Sequence, residues 1–189
     1  MASSFIQRTF TAGDREKFTI SVWVKRGTLT TGYPTIFQGR DGSDSYSGEI
    51  KFTSSDTIQF SSWSPSSYDG GILITNRKFR DTSAWYHIVG IVDTANVTSG
   101  DRVQLWVNGV RETSFGTETY PSSGADWYIN KAGAVNSIGT HASETGTNSF
   151  DGLMSHMHFY DGYAYTASDF GSFDSTSGIW KIKTSGPSA

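Results

Sequence analysis

The chain has 189 residues, no cysteine, a formal net charge of −3 and 17% charged residues, which suits one domain built on its own core and excludes a disulfide scaffold or a thiolate metal site. Its longest basic stretch is Arg77-Lys78 with Arg80, so the clustered cations that phosphate contacts need are missing and nucleic-acid binding is excluded. With 21 Gly, 4 Pro and 14% aromatic residues, the composition is that of many short strands joined by polar turns.

The start, Met1-Ala2-Ser3-Ser4-Phe5, has no charged segment leading into an apolar one, and a secretory leader is not expected. No apolar run approaches the roughly 20 residues that cross a bilayer as a helix, so membrane insertion is not expected. Residues 18–25 alternate: Phe18, Ile20, Val22 and Val24 share one face, and Thr19, Ser21, Trp23 and Lys25 the other. This is the period of a half-buried strand. Residues 49–52 and 57–60 alternate likewise, and Ser54-Ser55-Asp56 between them predicts a hairpin. Residues 85–92 are apolar on both faces and predict a central strand covered on two sides. Residues 102–107 alternate again before Asn108-Gly109, a dipeptide that favours the positive φ angles of a tight hairpin.

Further strands are predicted at 127–130, 137–140 and 153–160. One helical turn is predicted at 166–170, with Thr166 as cap and Gly171 as terminator. The organisation is a single domain over 1–183 with a fraying tail at 184–189. Many strands and almost no helix mean an all-β fold, a sandwich or a barrel.

The order of several segments narrows this. Residues 18–26, Trp85-Tyr86-His87-Ile88-Val89, Leu105-Trp106-Val107-Asn108-Gly109, and Phe150-Asp151-Gly152-Leu153 through Phe159-Tyr160-Asp161-Gly162 resemble a concanavalin-like lectin or laminin-G domain. The resemblance covers about residues 5–181. It implies a two-sheet antiparallel β-sandwich of jelly-roll type. Arg8-Thr9-Phe10-Thr11-Ala12-Gly13, Ala167-Ser168-Asp169-Phe170-Gly171, and Phe173 through Lys181 resemble more narrowly the version found in tail, fibre and capsid-surface proteins of bacteriophages. That implies a non-enzymatic protein of the virion surface, a capsid decoration or a head or tail fibre subunit. Its partners would be other virion proteins, further copies of itself and host-surface glycans. The alternative is a stand-alone carbohydrate-binding module.

A glycoside hydrolase is the remote alternative. It needs two carboxylates at a defined separation. In sandwich glucanases they lie on one strand as Glu-x-Asp-x-x-Glu, a string this sequence lacks. Glu16, Glu49, Glu112, Glu118 and Glu144 lie far apart, and no Gly-x-Ser-x-Gly elbow occurs. His156 and His158 alternate with Met154 and Tyr160, a spacing that can chelate a transition metal. The bland reading is packing within the sheet. No cofactor is required. Calcium is the metal the resemblance favours, with Asp41 and Asp44 in the Asp41-Gly42-Ser43-Asp44-Ser45 loop as ligand candidates and Asp69, Asp151 and Asn148 as other donors. Asp-Gly also makes ordinary turns.

Sugar rings stack their C–H faces on aromatic side chains, and surface loops are where such platforms stand. Trp63 and Tyr68 flank one loop, and Tyr120 and Trp127 flank another. These four are the carbohydrate-binding candidates, each of which can alternatively fold back onto the core. Trp23, Trp85, Trp106 and Trp180, in or near strands, are expected to pack.

Overall fold

The computed structural model describes residues 4–29, 32–41, 46–142 and 148–188. Chain order gives β1 (Ile6–Thr9), β2 (Lys17–Arg26), β3 (Thr35–Arg40), β4 (Ser47–Phe52), β5 (Ile58–Trp63), β6 (Ile72–Thr75), β7 (Tyr86–Asp93), β8 (Val103–Val107), β9 (Val110–Arg111), β10 (Phe115–Thr119), β11 (Val135–Ile138) and β12 (Gly152–Asp161). A single helical turn α1 (Ala167–Phe170) and a last hairpin of β13 (Gly171–Phe173) and β14 (Trp180–Ile182) follow.

A seven-stranded sheet has the order β1-β11-β3-β4-β5-β6-β10 and a five-stranded sheet the order β12-β2-β7-β8-β9. All named strand pairs are antiparallel. The two sheets pack face to face as the sandwich that the resemblance implied. Phe18, Ile20, Val22 and Val24 of β2 meet Ile50, Phe52, Ile58 and Phe60 of the larger sheet in one fully buried core. Gly90 completes the fit, because a Cβ there would stand 2.9 Å from Ile50 Cδ1.

Both expected hairpins form. Asn108 and Gly109 take φ of 50° and 76° between β8 and β9. Thr53 to Thr57 close the β4–β5 turn, with Asp56 at φ 64°. Asp56 also accepts hydrogen bonds from Arg26 (3.0 Å) and Arg80 (2.9 Å), so the buried Arg26 guanidinium is matched in charge. The helical turn stands where expected: the Thr166 main-chain N–H donates to Asp169 Oδ2 at 2.7 Å.

Two local expectations fail. Residues 127–130 form no strand. They cross the inner face at the end of the larger sheet, with Trp127 N–H donating to Arg15 O at 3.0 Å and Tyr128 N–H to Ser62 Oγ at 3.3 Å. Second, Met154 does not share a face with His158 and Tyr160. Ser155 pairs with Trp23 but His158 pairs with Ser21, so β12 carries one extra residue there, and His156 takes a φ of 48°. This bulge inverts the parity of the strand. Met154, Met157 and Phe159 turn to the core, while His158 and Tyr160 turn outward. The segment at 184–188 lies against β12, where Tyr160 Oη donates to Pro187 O and Tyr165 Oη to Ser188 O, each at 2.8 Å. β1, β3, β6, β10, β13 and β14 have no counterpart among the expected strands.

The outer face of the five-stranded sheet is covered by the segment after β12. Thr19 Oγ1 donates to Tyr163 O and accepts from Tyr165 N–H, both at 2.8 Å. Ala167 and Phe170 bury Val89 and Ile91. This explains why β7 is apolar on both faces.

Candidate functional site

The four aromatic residues singled out as platforms do not converge. Trp127 is fully buried, its ring 4.6 Å from that of Phe60 and 5.7 Å from that of Phe18. It is a core residue, the alternative left open for a loop aromatic. Tyr120 packs partly buried against the core, and its hydroxyl donates to Glu118 Oε1 at 2.5 Å. Burial and the Glu118 carboxylate push the Tyr120 phenol up to about 12. Trp63 is half-buried at the end of β5, and Tyr68 is exposed in the turn beyond it.

The two loops that those residues marked do meet, and a different aromatic pair stands at their junction. A cleft of about 420 Å³ is lined by Arg15, Tyr46, Asp69, Asp126, Tyr128 and Lys131, within the size range of small-ligand sites. Its construction starts with two glycines. Gly39 of β3 and Gly48 of β4 sit opposite one another in the ladder. A Cβ at Gly39 would come within 2.8 Å of Ile129 Cα, and one at Gly48 within 2.9 Å of Ile129 N. The bare patch lets the 127–130 segment lie flat on the sheet end. That segment buries Trp127 and Ile129 and leaves Tyr128 between them at the cleft.

The rings of Tyr46 and Tyr128 lie 4.6 Å apart at 39°. Cations flank them. Lys131 Nζ stands 5.0 Å from the Tyr46 ring centre and 5.7 Å from that of Tyr128, and the Arg15 guanidinium is 5.5 Å from the latter. Arg15 is fixed by donating to Trp127 O and Asp126 Oδ2, each at 2.7 Å. Lys131 Nζ donates to Asp41 Oδ2 at 3.3 Å. Asp69 accepts from the Gly70 N–H at 3.1 Å and is exposed. Burial, and then the negative charge of Asp69, raise the Tyr128 phenol above its usual value and keep it a neutral donor. The cleft thus offers paired aromatic surface, two cationic donors and two carboxylate acceptors in one place.

Sequence reasoning missed Tyr46 and Tyr128. The available signal was the neighbour relation in Trp127-Tyr128: an extended segment that buries one ring must expose the next.

Of the calcium candidates, Asp41 accepts from the Lys131 ammonium group and Asp44 lies outside the described residues. Asp151 Oδ2 accepts from Thr28 Oγ1 at 2.7 Å, and Asn148 Oδ1 from Tyr33 N–H at 3.2 Å, so both pin loops. Among the described residues, no three His, Asp or Glu side chains converge as metal ligands. Glu49, on the outer face of the larger sheet, is buried and ion-paired to Lys51 at 2.5 Å, with Gln38 donating at 2.9 Å.

A sandwich of these two sheets is the scaffold of lectin-like domains. A family model described as the concanavalin A-like lectin/glucanases superfamily matches residues 4–169, and the chain belongs to that family. No curated protein sequence is detectably similar to it. Among solved structures, it is similar to domain 4 of AbnA, a GH43 extracellular arabinanase from Geobacillus stearothermophilus, in complex with arabinotriose. The TM-score is 0.60 at 20% identity over 85% of this chain and 68% of that one. The CBM40 of the Ruminococcus gnavus IT-sialidase aligns with a TM-score of 0.58 at 12% identity over 86% of this chain and 95% of that one. A heptameric SAP-like pentraxin from Limulus polyphemus aligns at 0.57 and 15% identity over 86% and 71%. At these identities the likeness is one of fold.

Proposed function

We propose that the protein is a non-catalytic surface module that binds a glycan in the Tyr46–Tyr128 cleft. The observation that carries this reading is the cleft itself: two rings 4.6 Å apart, framed by Arg15 and Lys131 as donors and by Asp69 and Asp126 as acceptors. A sugar presents apolar C–H faces and a rim of hydroxyls, and this mixture is its complement. The fold's use in carbohydrate-binding modules supports the reading, as does the arabinotriose-bound relative. Neither Arg15–Asp126 nor Lys131–Asp41 leaves an unpaired carboxylate dyad of the kind hydrolysis needs.

The test is a broad glycan array followed by calorimetry on the best ligand. Tyr128→Ala is expected to weaken binding at least about tenfold, which corresponds to about 1.4 kcal/mol, while leaving the circular-dichroism spectrum unchanged. Absence of any array signal, or equal affinity in the variant, overturns the proposal. The phage-like motifs support a place on a virion exterior, docked on other virion proteins as one of several copies. Mass spectrometry of purified particles tests that location, and a particle without the chain refutes it.

A further inference from the structure

A second site stands on the outer face of the five-stranded sheet and shares no residue with the cleft. It is a groove of about 460 Å³ lined by Trp23, Trp85, Ser155, His156, Trp180, Lys181 and Ile182. These tryptophans were expected to pack, yet Trp85 is 39% exposed, and Trp23 and Trp180 are only partly buried. The floor is rigid. The His87 ring stacks on Trp23 at 4.9 Å and 18°, and Trp180 Nε1 donates to His87 Nδ1 at 3.0 Å.

One wall of the groove is β14, all three of whose residues line it. The register of β14 on β13 determines which main-chain groups face the groove. Lys183 N–H donates to Phe170 O and Asp174 N–H to Ile179 O, each at 2.9 Å. Ser172 is paired with Lys181 between them. Ile179, Lys181 and Lys183 therefore turn their main-chain groups toward β13. The alternation of an antiparallel ladder turns the N–H and C=O of Trp180 and Ile182 to the other edge. Among the described residues that edge has no strand partner, since the hairpin is a two-stranded sheet. The residues of β13 line a different groove, on the opposite flank of Trp180. The tryptophan groove consequently runs along the free edge of β14.

We infer that this groove binds an extended polypeptide segment of a partner protein, added to β14 as a third strand, with one aromatic or branched aliphatic side chain seated on Trp23 and Trp85. An unpaired strand edge supplies main-chain hydrogen bonds, and an adjoining apolar pocket supplies side-chain selectivity. The groove's polar side chains are largely engaged, apart from Trp23 Nε1, which is buried without a hydrogen-bond partner. Ser155 Oγ and His156 Nδ1 are 2.6 Å apart, and Lys181 Nζ donates to Asp174 Oδ2 at 2.6 Å. An apolar side chain is thus preferred over a sugar at this position.

The experiment is selection of a yeast-displayed random linear-peptide library on the whole chain, followed by fluorescence anisotropy with the recovered peptides. They are expected to share one aromatic or branched aliphatic residue within a run of strand-forming residues. Trp85→Ala empties the pocket. Ile182→Pro removes an edge N–H that takes no part in the ladder to β13. Each is expected to weaken binding about tenfold or more, as is N-methylation of the peptide amides beside the anchoring residue. The N-methylated peptides keep the test valid if Ile182→Pro loosens β14. Failure to recover peptides, equal binding by the variants, or indifference to N-methylation overturns the inference. So does self-association of the chain that Ile182→Pro abolishes, because the occupant is then a second copy.

Discussion

His87 is fully buried on the outer face of the smaller sheet, with both ring nitrogens engaged. It accepts from Trp180 Nε1 at Nδ1, so the neutral ring carries its proton on Nε2, 2.9 Å from Ser21 Oγ. Protonation would set two N–H groups against each other. Burial first, and then the charge of His158, hold its pKa down to about 4 against an ordinary 6.5. The unfolded chain therefore binds the extra proton first as pH falls. Stability is fully present above about pH 6.5 and declines down to about pH 4. The size of the loss is about 3 kcal/mol at about 1.36 kcal/mol per pKa unit. Urea unfolding across that window measures it, and His87→Phe is expected to flatten the slope. Trp127 is a packing residue of another kind. Its Nε1 has no hydrogen-bond partner, so its contribution is volume. Trp127→Ala is expected to lower the unfolding free energy by about 3–5 kcal/mol in chemical denaturation.

At the scale of elements, the bulge in β12 is what aims the strand. A non-glycine residue at φ 48° pays a local conformational penalty. His156→Gly is expected to leave stability unchanged or raise it by less than about 1 kcal/mol, because relief of strain offsets the entropy of glycine in the unfolded chain. His156→Val is expected to cost more than about 1 kcal/mol, because a β-branched residue resists positive φ. A lower urea midpoint for His156→Val beside an unchanged or higher one for His156→Gly confirms that the bulge is held under strain. The β8–β9 turn carries a similar constraint. At Gly109 a Cβ would stand 2.3 Å from the Trp180 ring, so Gly109→Ala is expected to release the last hairpin as well as strain the turn. Loss of the His87 pH dependence in that variant would report the release.

For the whole molecule, the segment after Asp161 is a third layer over part of the sandwich. It covers Val89 and Ile91, which are 0% and 3% exposed. A chain truncated after Asp161 keeps both sheets but uncovers this strip. Burial of one such side chain contributes about 1.5–3 kcal/mol. The truncated chain is expected to melt at a lower temperature and to bind a hydrophobic dye that the full chain excludes. An unchanged melting temperature would show that the third layer is incidental to stability.

Alternation alone identified the strands whose faces differ in polarity, because it is local and period 2 is a property of the backbone. Residues 18–25 named their own core face, and Asn108-Gly109 named its own turn. Residues 85–92 announced that both faces were covered without saying by what. The family resemblance supplied the two-sheet arrangement that periodicity left open between sandwich and barrel. Which aromatic rings reach the surface depended on contacts between distant segments. Trp127 and Tyr128 are indistinguishable in composition, and their fates were set by Gly39 and Gly48, about eighty to ninety residues away in the chain. Trp23 and Trp85 became a groove because β14 lies beside them, and Met154 left the face of His158 because one extra residue opposed β2. In each case the deciding contact joins residues far apart in sequence, and local periodicity carries no information about such contacts.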